Sequence, residues 1–329
     1  MNLLQDQLQK ICKLVLSTSA NHSNVIPEME RMNFVLQLDA CRNVSVPLIR
    51  AQDLLTTPGF SLSRKTVIFV TGWGSSINRS NAGPVAKAFA CRNDTNFMVL
   101  DAANFIQTFY TWAAVNTDTI GRFVAQALLK LDRSYVTRNV HVVGHSLGAQ
   151  IAGATGRYYQ QLSGGAQLPR VTGLDPANPC FYDGFKKLPG TQSGDAAYVD
   201  LIITNPGLAG TAEDVGDGNF FAQGLAPIKS GCTGLDAIPC SHQRAVDYFT
   251  ESVYPNNTQN FRGNYCAAYA NLWTGRACTR VRTAIMGYAA SRSGLYYVEV
   301  NPTENYGKEA NPDTFTPSNS ACGACNLNS

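Results

Sequence analysis

The chain has 329 residues, enough for one large domain with a substantial core. Its 26 Lys and Arg against 23 Asp and Glu leave a net charge of +3, scattered rather than clustered, which argues against a nucleic-acid or anionic-membrane footprint. Hydrophobic residues make up 44% and charged residues 15%, the balance of a folded globular protein, and no apolar run is long enough to span a bilayer.

The first stretch, MNLLQDQLQKICKLVL, is interrupted by Gln5, Asp6, Gln9 and Lys10, so it lacks the apolar core of a secretory signal. Leu4, Leu8, Ile11 and Val15 recur at helical spacing and predict a short amphipathic helix within an N-terminal extension, residues 1–32. Five apolar runs then read as buried strands: Thr66–Thr71, Asn96–Asp101, Asn139–Gly144, Arg170–Asp175 and Tyr198–Thr204. Between them lie predicted helices at Asn81–Cys91, Asn116–Arg133 and Leu147–Gln161. This alternation predicts an α/β fold, a mainly parallel central sheet with helices on both faces, over residues 33–300. Residues 301–329, rich in Asn, Pro, Thr and Ser, read as a poorly packed polar tail.

Gly144-His145-Ser146-Leu147-Gly148 matches G-x-S-x-G where a valine-rich strand meets a glycine- and alanine-rich helix. A plain turn also needs small residues, but the strand-to-helix setting is that of a nucleophile elbow. In this architecture the order is serine, acid, histidine. Of the four histidines, His22, His141, His145 and His242, only His242 follows Ser146. His242 is therefore the expected base, on a loop just before the helical pattern RAVDYFTESV. Asp175 closes a strand and is followed by Pro176, which makes it the expected acid. Asp200, inside its strand, is the rival, with a structural role as the ordinary alternative. The turn Gly72-Trp73-Gly74 after the first predicted strand offers the Trp73 amide as one oxyanion donor, and Leu147 the other. A simple glycine turn is the competing reading.

Ten cysteines (Cys12, Cys41, Cys91, Cys180, Cys232, Cys240, Cys266, Cys278, Cys322 and Cys325) have no zinc-site spacing. Five glycosylation sequons occur, at Asn21, Asn43, Asn78, Asn93 and Asn256. Together they point to an oxidising, secretory history, with any signal peptide removed or outside this sequence.

The motifs GHSLGA (Gly144–Ala149), TGLDPANPCF (Thr172–Phe181), GDGNFF (Gly216–Phe221) and CSHQRAVDYFTES (Cys240–Ser252) resemble the animal neutral lipase family of pancreatic-type lipases, phospholipases A1 and insect yolk proteins. The resemblance covers roughly Asn33 to Glu299. It implies an α/β-hydrolase fold, a triad on Ser146, Asp175 and His242, and oxyanion donors on Trp73 and Leu147. Thr71 stands where the family usually has histidine. Pancreatic-type members carry a long lid between two cysteines before the histidine; here Cys232 and Cys240 enclose only Thr233 to Pro239. So short a lid resembles the insect phospholipase A1 and lipase member H-like branch. Disulfides Cys232–Cys240 and Cys266–Cys278 are expected, each closing a short loop. At the family's calcium site Asp195 matches a ligand, but Lys187 and Gln192 replace acidic ones, so no metal and no other cofactor is expected. No C-terminal β-sandwich and hence no colipase partner is expected.

The chain is therefore expected to be a secreted serine ester hydrolase working on lipid esters at a membrane or lipid-droplet surface, phospholipase A1-like or a short-lid lipase. A silent yolk-type lipid-binding or storage protein is the alternative on the same fold.

Overall fold

The computed structural model describes residues 25–39, 41–74, 82–182 and 188–325, together with Gln7, Lys10 and Cys12. Most of the predicted N-terminal helix, and Asn21, Asn78 and Lys187, lie outside the described residues.

Continuous apolar runs form strands when both faces of the sheet are covered, and the five predicted runs do so here. They are β3 (Lys65–Val70), β4 (Thr95–Asp101), β5 (Val140–His145), β6 (Arg170–Leu174) and β7 (Val199–Ile203). Two strands precede them, β1 (Asn33–Gln37) and β2 (Asn43–Pro47). Four follow: β8 (Gly218–Ala222), β9 (Arg262–Tyr265), β10 (Thr279–Ile285) and β11 (Gly294–Val298). All join one sheet in the order β10-β9-β11-β8-β7-β6-β5-β3-β4-β1-β2. The pairings from β4 through β3, β5, β6, β7 and β8 to β11 are parallel. At the rims β1, β2, β9 and β10 pair antiparallel. The short outer strands carry weak or mixed patterns and were not among the expected elements.

Along the sheet run the helices α1 (Ala82–Arg92), α2 (Tyr110–Leu128), α3 (Arg133–Asn139), α4 (Leu147–Leu162) and α5 (Ala237–Val253). Alternation along the strands sends Val140 and Val142 to a core shared with Ile120 and Val124 of α2 and Ile151 of α4. Val143 points the other way, into a core with Val85 and Phe89 of α1 and Val246 and Phe249 of α5. Helices thus cover both faces, and this is the α/β-hydrolase architecture. Helix α2 begins at Tyr110, ahead of the expected Asn116, because Tyr110, Ala113 and Ala114 are themselves buried. Among the described residues no helix is long and apolar enough to cross a membrane.

The cysteines pair as Cys12–Cys180, Cys41–Cys325, Cys91–Cys322, Cys232–Cys240 and Cys266–Cys278. The last two are the expected short loops. The second and third fasten the C-terminal segment, which is polar as expected but not loose. Glu251 of α5 accepts the amides of Tyr306 (2.7 Å) and Gly307 (3.0 Å). Asn257 exchanges two hydrogen bonds with the backbone of Thr316. Polar side chains here serve main-chain groups, which is why composition alone read as a loose tail.

Asp200 of β7 is fully buried and holds Arg170 of β6 through two hydrogen bonds, of 2.7 and 2.9 Å. Thr172 donates to the same carboxylate at 2.8 Å, and His141 of β5 bonds Thr172 at 2.7 Å. This network sits inside the strands and braces them. Removing one member of a buried ion pair costs about 3–5 kcal/mol. Asp200→Asn should therefore lower stability by about 3 kcal/mol in urea denaturation, while hydrolysis per folded molecule changes little; the reverse pattern would make Asp200 the acid.

Candidate active site

Ser146 is the single residue between the end of β5 and the start of α4. Its φ of 57° and ψ of −123° are a strained combination for an L-residue, the conformation that an elbow imposes. Gly144 permits the turn: a Cβ there would lie 2.0 Å from the Gly148 carbonyl oxygen. The Ser146 amide donates to Leu174 O at 3.0 Å, at the end of β6. Its carbonyl accepts from Ala149 (3.0 Å) and Ala177 (3.2 Å). The elbow is thereby bolted to the loop that carries Asp175.

Asp175 follows β6 with φ 44° and is fully buried. One carboxylate oxygen accepts the backbone amides of Thr204 (2.7 Å) and Asn205 (2.8 Å), just beyond β7. The other meets His242 Nδ1 at 2.5 Å. Of the two aspartates, Asp175 contacts the histidine, while Asp200 is bonded to Arg170.

His242 is not on a loop. It lies within α5, which starts at Ala237 directly after a 3₁₀ turn at Gly234–Asp236. Pro239 lies in the first turn of this helix, where its missing N–H is no loss. Two further residues pack on the Asp175–His242 pair, one on the imidazole and one on the carboxylate. The His145 ring packs on the His242 ring with centroids 4.5 Å apart, and its Nε2 bonds the His242 carbonyl at 3.2 Å. Burial, with a smaller contribution from His242, holds His145 well below the usual histidine range, so it packs as a neutral ring. Gly210 approaches the Asp175 carboxylate so closely that a Cβ would stand 2.3 Å from it. His145 lies inside the motif itself; Gly210, thirty-five positions from its partner, carried no local signal.

The Trp73 turn reaches the elbow from β3. A Cβ on Gly72 would lie 2.9 Å from that of Ser146. The Trp73 indole donates to Thr108 O at 2.7 Å and packs edge-on against Tyr110, which fixes the loop. Leu147 is the first residue of α4, where amides lack an intrahelical partner and the helix dipole is positive. The turn after β3 and the first residue of α4 thus both adjoin Ser146. Between Cys232 and Cys240 the chain forms the 3₁₀ turn and the start of α5, with Leu235 fully exposed.

Asp195, the residue that the resemblance matches to a calcium ligand, is engaged by protein groups. Its carboxylate accepts Arg157 Nη1 at 2.7 Å and the Gln192 amide at 2.9 Å, and the same guanidinium bonds Gly190 O. A guanidinium in that place does not fit a divalent cation. The sequons at Asn43, Asn93 and Asn256 are exposed.

A family model described as Lipase matches residues 7–303. Pancreatic lipase-related protein 2 of Cavia porcellus is 33% identical over 253 residues, 74% of this chain and 56% of that protein. Pancreatic triacylglycerol lipase of Sus scrofa is 28% identical, covering 84% of this chain and 67% of that one. Phospholipase A1 of Vespa velutina is 33% identical over 68% of this chain and 77% of its own length. The chain thus spans a little over half the length of the first of these relatives.

The Gly210 contact gives a test of the geometry. Gly210→Ala should push the Asp175 carboxylate off His242, with ester hydrolysis falling about 100-fold or more while overpacking costs only about 1–3 kcal/mol. Full activity in the folded variant would mean that the Asp175–His242 contact is dispensable.

Proposed function

The chain belongs to the lipase family, and on that premise we propose that it is a secreted serine carboxylester hydrolase that cleaves lipid esters through an acyl-enzyme. The observation that carries the reading is the buried Asp175–His242 contact beside a strained serine elbow. Asp175 on Nδ1 selects the tautomer that leaves Nε2 free to take the serine proton. Ser146 Oγ attacks the ester carbonyl, and His242 accepts its proton and returns it to the leaving alcohol. The tetrahedral oxyanion rests on the amides of Trp73 and Leu147, each donor worth about 3–4 kcal/mol in such sites. Water then repeats the sequence on the acyl-enzyme. Thr71, in the place of the usual histidine, leaves these backbone donors in being.

The substrate proposed is a lipid ester at a membrane or lipid-droplet surface, with neither metal nor colipase required. Apolar side chains stand exposed near the elbow and on the short loop: Trp73, Phe109 and Leu235. Such side chains suit an apolar interface. A loop of seven residues, tied at both ends by Cys232–Cys240, is too short to cover and uncover a trough. An open mouth admits a polar headgroup, which favours phospholipase A1-like action. Five disulfides favour an oxidising, extracellular setting.

The decisive experiment pairs labelling with a lipid panel. A fluorophosphonate should label the protein at Ser146, and Ser146→Ala should lose labelling and about 10⁵-fold or more of the hydrolysis rate while staying folded. Failure to label the folded protein would leave the yolk-type reading. On phosphatidylcholine, galactolipid and triacylglycerol side by side, the polar lipids should be cleaved at least as fast. Rates on a short-chain ester should rise smoothly through its solubility limit. A sharp jump there, with triacylglycerol preferred, would assign the lid's work to another segment, residues 205–231.

A further inference from the structure

Asp175 holds the proposed base at one ring atom, Nδ1 of His242. One hydrogen bond fixes a point of an imidazole without fixing the plane of its ring. His145 supplies a contact that bears on the plane. The two rings pack with centroids 4.5 Å apart and planes inclined by 40°, a separation at which ring pairs hold a preferred mutual orientation.

His145 is the last residue of β5, opposite Leu174 of β6 in the ladder, and it is buried. Its Nε2 lies 3.2 Å from the His242 carbonyl oxygen. A carbonyl only accepts, so Nε2 carries the proton in this bond. Burial keeps a second proton off the ring, and the proton on Nε2 leaves Nδ1 without one. Nδ1 lies toward the turn after β3, where a Cβ on Gly72 would stand 3.3 Å from it. A single side chain thus meets the ring and the backbone of His242 and adjoins the turn that carries Trp73. It is rooted directly before Ser146, so it ties a histidine carried by α5 to the strand that leads into the serine. A side chain that only filled this space would need neither a proton on Nε2 nor an acceptor for it.

We propose that His145 is a positioning residue for the hydrolysis: it sets the plane and the distance of the His242 imidazole relative to Ser146, while Asp175 sets its tautomer. The inference rests on the hydrolase reading above. Its consequence is a split between binding and chemistry. Loss of the ring contact and the hydrogen bond leaves the ester's binding contacts in place but frees the imidazole to turn, and a misplacement of about 1 Å costs about 100-fold in rate.

The test compares His145→Leu, which removes both contacts, with His145→Phe, which keeps a ring, and His145→Gln, whose amide keeps a donor. On a soluble short-chain ester, kcat and KM are read per folded molecule, together with the rate of fluorophosphonate labelling. His145→Leu should lower kcat and the labelling rate by about 100-fold, with KM within about twofold. His145→Phe and His145→Gln should each recover about tenfold of that loss. A kcat within about threefold of the unaltered value in folded His145→Leu overturns the proposal, as does a loss carried by KM. Equal losses in all three variants overturn it too, because they would report displacement of the adjoining serine. Should His145→Leu fail to fold, the NMR signal of the proton on His242 Nδ1 is compared in the other two variants. That signal should shift or broaden in at least one of them, and an unchanged signal in both overturns the proposal. Labelling that proceeds as fast in folded His145→Leu as in the unaltered protein would sink this inference alone. Failure of the unaltered protein to label would sink the hydrolase reading, and this inference with it.

Discussion

Asp175 is a carboxylate with no exposed surface, and an unpaired buried charge costs several kcal/mol. Everything that touches it answers that cost. Two amides beyond β7 serve one oxygen, and the His242 imidazole serves the other. Hydrogen bonds to a charged group contribute about 1.5–3 kcal/mol each, so three of them offset the desolvation only if all are kept. Gly210 leaves the space that the carboxylate fills. The segment 204–210 is therefore shaped by the acid as much as by its own turn residues.

The sheet explains why these groups meet. β5, β6 and β7 are adjacent and parallel, so their carboxyl ends lie at one edge. Ser146 leaves the end of β5, Asp175 leaves β6, and the amides that hold Asp175 follow β7. The histidine alone comes from a helix, and its ring is fixed between the carboxylate and the neutral ring of His145. Strain at Ser146 is held by bonds to Leu174, Ala149 and Ala177 rather than by the turn alone. A buried carboxylate and a strained serine are two consequences of one strand order, and the histidine reaches them from a helix.

The periphery is held by different means. Disulfides joining residues more than 100 apart in sequence remove about 4–5 kcal/mol of chain entropy each from the unfolded state, and three of the five are of this kind. They tie the first and last segments to the domain, while α5 receives the C-terminal segment through Glu251. The Arg157–Asp195 pair braces the segment 190–195 against α4.

The sequence by itself determined what depends on local pattern. The five buried strands, the elbow at Ser146, the helix after it and the short span between Cys232 and Cys240 were all legible, because each follows from residues within a few positions. Elimination among four histidines isolated His242, and a strand-ending Asp-Pro singled out Asp175. Only the tertiary structure decided what depends on distant segments meeting. It put His242 inside a helix, gave Asp200 to Arg170, paired Cys12, Cys41 and Cys91 with partners at least 168 residues away, and brought Gly210 to the acid. Hydrophobic periodicity reports which face of an element is buried, but not which neighbour buries it. A buried charge selects its partners by proximity in space, and nothing in the local sequence encodes that distance.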